Sequence, residues 1–67
     1  MNKEIKEMIK QKANTYINLI KRNIVKSDYA ITIMEGYLQA LYDTQIITEK
    51  EFALESDKIN KKFININ

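Results

Sequence analysis

Ile5, Met8, Ile9, Ala13, Tyr16, Ile17, Ile20 and Ile24 recur mostly at steps of three or four residues, and Asn2, Lys3, Lys6, Lys10, Asn14 and Lys21 fill most of the opposite side. This is the period of an α-helix with one apolar stripe, and it predicts a first helix over residues 3–25. The polar triplet Lys26, Ser27 and Asp28 follows, and either Ser27 or Asp28 suits the N-cap of a second helix. A corner is expected there, although no glycine or proline enforces it and one continuous helix to about residue 42 is the alternative. The second helix, residues 28–43, carries Ala30, Ile33, Met34, Tyr37, Leu38 and Leu41 on one face, widened by Ile31 and Tyr42. Asp28, Thr32, Glu35, Gln39 and Asp43 form its polar back. Gly36, four residues before Ala40, points to close backbone packing; otherwise its cost of roughly 1 kcal/mol relative to alanine is simply borne.

The run Ile47, Thr48, Glu49, Lys50, Glu51, Phe52 is the sharpest local signal. Thr48 and Glu51 have the spacing of a capping box, Ile47 and Phe52 that of a hydrophobic staple, and Glu49 and Glu51 suit the positive end of the helix dipole. A third helix is therefore expected over residues 49–62, with a thin stripe of Phe52, Ile59 and Phe63, and with Lys58, Lys61 and Lys62 suiting its C-terminal turn. Ile64 to Asn67 are expected to fray. The fold class is all-α, a three-helix arrangement in which a long N-terminal helix packs on an antiparallel helical hairpin. One domain covers residues 1–67, comprising a basic helix at 1–26 and the hairpin at 28–63. Its expected core is Ile9, Tyr16, Ile20, Ile33, Met34, Tyr37, Leu38, Leu41, Ile47, Phe52 and Ile59.

The stretch from Leu41, Tyr42, Asp43, Thr44, Gln45, Ile46 through Ile47, Thr48, Glu49, Lys50, Glu51, Phe52, together with Ile59, Asn60, Lys61, Lys62, Phe63, resembles the SHOCT and SHOCT-like small helical domains. Their hallmark is a leucine-rich helix, a "GIITEEEF"-type turn and a second helix, and the resemblance spans about residues 29–63. It implies a small protein of a phage or other mobile element of low-GC bacteria, with a role in oligomerisation or nucleic-acid binding and no catalysis. Gln45 departs from the family's usual glycine, which suits a left-handed helix-terminating position.

With 67 residues, the chain buries only about 60% of its unfolded surface and calls for some supplement to its core. There is no cysteine for a disulfide, and without cysteine or histidine the ordinary ligands of zinc and copper are missing, so no metal and no cofactor are expected. Oligomerisation, or a very economical helix packing, is what is left. A homodimer is expected, burying Tyr16, Ile20, Ile33, Tyr37, Leu38 and Leu41 between copies or against a host or mobile-element protein, with the basic first helix running past the acidic second.

Charge is unevenly spread. Residues 1–26 hold seven Lys or Arg against Glu4 and Glu7, a balance of +5, and the remainder holds seven acids against four lysines, a balance of −3, which together give the net +2. Lys3, Lys6, Lys10 and Lys21, with Asn14 beside them, share one flank of the first helix and could track a nucleic-acid backbone; equally, they are an ordinary solvated face. Arg22 is the only arginine, which disfavours bidentate base reading. No constellation of nucleophile and base is present, there is no Gly-rich phosphate loop, and an enzyme is not expected. No apolar run approaches the roughly 18 residues of a membrane span, and the charged residues after Met1 differ from a secretory leader, so a cytoplasmic protein is expected.

Overall fold

Each helix begins where a backbone oxygen or side chain takes up the first free amides. Asn2 caps α1 (Lys3–Lys21), its Oδ1 accepting from the Ile5 N–H at 2.8 Å. In α2 (Ser27–Asp43) the cap is Lys26, whose side chain makes no capping bond; Ser27 is already helical, and Asp28 Oδ1 accepts from the Tyr29 N–H at 2.8 Å. Thr48 caps α3 (Glu49–Ile64) with the full capping box. The Glu51 N–H donates to Thr48 Oγ1 at 3.1 Å and the Thr48 N–H donates to Glu51 Oε1 at 2.8 Å. The computed structural model describes Met1 to Ile66, and among these residues it is 79% helical with no strand. The fraying expected over Ile64 to Asn67 is not seen as far as Ile66: Ile64 ends the helix, Asn65 and Ile66 form a turn and Ile66 packs on the core, while Asn67 lies outside the described residues.

The corner between α1 and α2 is real, so the continuous helix is excluded, but α1 ends at Lys21 rather than near residue 25. Asn23 takes the left-handed conformation at φ 59, its N–H donating to Ile20 O at 3.0 Å, and the Ile24 N–H reaches back to Leu19 O at 2.9 Å. This pair of bonds is the Schellman helix stop. The same device recurs after α2: Gln45 has φ 64, its N–H donates to Tyr42 O at 3.0 Å, and the Ile46 N–H donates to Leu41 O at 2.9 Å. Leu19, Asn23 and Ile24 thus correspond to Leu41, Gln45 and Ile46. Neither stop uses glycine. An L-residue in this conformation bears a cost of about 1–2 kcal/mol, so Gln45→Gly is expected to stabilise the fold by roughly 0.5–1 kcal/mol after the added freedom of the unfolded chain is deducted. Urea denaturation followed by circular dichroism checks this, and a loss of stability would mean that the glutamine side chain holds the turn.

α2 and α3 pack most closely, as an antiparallel pair in which Asn60 Nδ2 donates to Glu35 Oε1 at 3.3 Å. α1 lies against both, antiparallel to α2 and alongside α3. Lys12 Nζ stands 4.9 Å from the centre of the Tyr37 ring, and the Met1 amine pairs with Glu51 at the start of α3. The core holds Ile9, Ala13, Ile20, Ala30, Met34, Leu38, Leu41, Ile47, Ile59 and Phe63, and among the described residues no polar or charged residue is buried. Tyr16, Ile33, Tyr37 and Phe52, expected inside, are half-buried at its rim. Their places are taken by Phe63 and by the two alanines. The close packing expected at Gly36 is absent: a Cβ there would meet nothing within 4 Å, so the glycine is exposed and its helical cost is borne.

Candidate interaction surfaces

Three helices packed side by side, α2 antiparallel to the other two, leave three edges, and the side chains give each a different chemistry. On the α2/α3 edge, Glu35 meets Asn60, Gln39 Nε2 donates to Asp43 Oδ1 at 2.9 Å, and Tyr42 stacks on Phe52 with ring centres 5.6 Å apart. This edge carries the acidic back of α2 and is closed by hydrogen bonding.

The α1/α3 edge is a groove with Lys6 and Lys10 on one wall and Lys58 and Lys62 on the other, over a floor of Ile9, Ala13 and Ile59. Glu55 also lines it and accepts from Lys58 at 3.3 Å. Among the described residues Lys6, Lys10 and Lys62 have no ion-pair partner. Of the basic-flank candidates, Lys3, Lys6, Lys10, Asn14 and Lys21 are all exposed. Only Lys6 and Lys10 enter this groove; Lys3, Asn14 and Lys21 lie outside it. Lys58 and Lys62 suit the negative end of the α3 dipole, and nothing local marks them as partners of α1. Their one-turn spacing, the same as that of Lys6 and Lys10, is the signal that could have found them once α1 and α3 were taken as parallel.

Along the α1/α2 edge, the side of α1 that bears Lys12 also bears Met8, Gln11, Thr15 and Leu19, and the side of α2 that bears Tyr37 also bears Tyr29, Ile33, Gly36 and Ala40. Lys12 is the one charge among them, and it lies over the Tyr37 ring. Met8 is 48% exposed and Tyr29 57%, while Leu19, Ile33 and Tyr37 are half-buried. At the corner end, Ile24, Val25 and Tyr29 line one surface depression together with Lys26 and Asp28, so the uncharged stretch ends there. Of the six residues expected at an interface between copies, Ile20, Leu38 and Leu41 are buried in the core of the single chain. Tyr16, Ile33 and Tyr37 remain partly accessible.

The cap residues Thr48 and Glu51 stand together as expected. The Met1 amine beside Glu51, and after it the Thr48 N–H, hold the Glu51 carboxyl below the usual carboxylate range. Among the described residues no three His, Cys, Asp or Glu side chains gather in a way that could hold a metal ion. No described helix is long and apolar enough to cross a membrane. Comparison with protein-family models, with curated proteins and with solved structures finds no match to this chain.

Proposed function

We propose that this chain is a non-catalytic helical interaction module that pairs with a second copy of itself through the α1/α2 edge. The observation that supports it is the depletion of charge on that edge. In a chain whose residues are 30% charged, ten neighbouring positions on two helices carry only Lys12, already engaged with an aromatic ring. Loss of charge combined with tyrosine and methionine is the compositional mark of an interface core. A two-fold axis needs a self-complementary patch, and a seam with one charge, which includes Gly36 and Ala40, lets another helix approach with little like-charge repulsion. The run of a basic first helix past an acidic second is not the basis of this dimer, since Lys6 and Lys10 line the α1/α3 groove and Glu35 meets Asn60 on the α2/α3 edge. SHOCT-like membership, with the mobile-element setting that it implies, belongs to the same proposal.

Sedimentation equilibrium tests it. The wild type is expected to dimerise at tens of micromolar or below, the order of a weak specific interface. Met8→Glu combined with Tyr29→Glu, both at exposed positions, is expected to leave a fully helical monomer of 7.9 kDa. A wild type that stays monomeric at about 100 µM, equivalent to a binding free energy weaker than roughly −5.5 kcal/mol, overturns the reading.

A further inference from the structure

The basic flank of α1 is half of a larger feature, because α3 brings Lys58 and Lys62 to the opposite wall of the same groove. We infer that this groove binds the phosphate backbone of a nucleic-acid strand, without reading its sequence.

The geometry gives the ligand class. Lys6 and Lys10 are separated by one helical turn, as are Lys58 and Lys62, so at 1.5 Å per residue each wall offers ammonium groups about 6 Å apart along the groove. A strand lying between the walls presents a phosphate at comparable steps to both rows. Lysine is a point charge that accepts any approach of a phosphate oxygen, and the groove lacks the arginine fork that would bind phosphate or carboxylate bidentately. The regular step of charge along both walls is what favours a phosphate backbone over an acidic peptide. Base reading is disfavoured by the same composition, since the lining includes no arginine, asparagine, glutamine or aromatic ring. The charge is also available. Glu55 neutralises Lys58, and among the described residues Lys6, Lys10 and Lys62 have no carboxylate partner. Three phosphates are therefore contacted at once, and because the groove lies on a different edge from the dimer seam, this binding stands whether or not the chain self-associates.

Fluorescence anisotropy of a labelled 30-nucleotide single-stranded DNA, titrated with the full chain at several salt concentrations, tests the inference. The expected slope of log affinity against log salt is roughly −2 to −3, at about 0.7 per phosphate neutralised on a single strand. Lys6→Gln, Lys10→Gln and Lys62→Gln together are expected to lower affinity at least tenfold at 0.1 M salt and to flatten the slope by about two. Lys26→Gln, Lys50→Gln and Lys61→Gln together change the net charge equally and are expected to reduce binding by less than about threefold, with circular dichroism confirming that both variants fold. Equal losses in the two variants would overturn the groove as the site and leave only diffuse attraction. Absence of binding by the wild type, or tighter binding of polyglutamate than of the oligonucleotide, would overturn the nucleic-acid ligand.

Discussion

Phe63→Ala is expected to cost about 3–5 kcal/mol, the range for removing a fully buried phenylalanine. Phe63 is completely enclosed, one of the three largest side chains so buried, with Met34 and Leu38. It is contributed by the last turn of α3, and Ile66 packs on the same cluster just beyond. In a domain of 60–100 residues, each kcal/mol moves the melting temperature by roughly 4–8 °C, so the midpoint should fall by about 12–40 °C. A thermal scan by circular dichroism measures it. A fall of only a few degrees would show that the core closes without the end of α3, and that the C-terminal turn is peripheral.

Leu38→Glu is expected to abolish the fold outright at neutral pH. The side chain has no solvent exposure in the single chain, and among the described residues there is no buried charged residue to pair with a carboxylate. Burying an unpaired charge costs several kcal/mol at the least, on the scale of the 5–15 kcal/mol that holds a whole domain together. Loss of helicity should therefore be independent of protein concentration. The contrast with Met8→Glu and Tyr29→Glu is what gives the experiment its value, because those exposed positions should affect association alone. A folded, monomeric Leu38→Glu chain would mean that Leu38 meets its neighbours across an interface between copies.

What was legible in the sequence depended on how local its physical cause is. The capping box at Thr48 and Glu51 consists of bonds between residues three apart, so the start of α3 could be read directly. The end of α1 could not. Ile24 lies four residues after Ile20 and continues the helical stripe, yet its amide is committed to the Schellman bond with Leu19. An apolar residue that closes a helix stop has the same spacing as one that extends the helix. Asn23 was the available clue, since asparagine tolerates the left-handed conformation better than other non-glycine residues. Core membership followed the same division. Ala13, Ala30 and Phe63 lie on the apolar stripes but outside the expected core, the alanines for their small area and Phe63 for its place near the end of the helix, while Met8 and Ile24, on the same stripes, are exposed. The groove needed tertiary information, because Lys10 and Lys62 are neighbours only after α1 and α3 are laid side by side.

Sorting the charges onto separate edges changes what an approaching body experiences. The molecule is about 18 × 16 Å across its two shorter axes. At physiological ionic strength, potentials decay over about 8 Å, so an ion near the α1/α3 groove is screened from most of the acids on the far side of the bundle. The net charge of +2 is then a poor guide to encounter rates. A polyanion meets a local field set by a few lysines, and rotation of the protein as it diffuses, rather than its total charge, governs how often that side is the one presented.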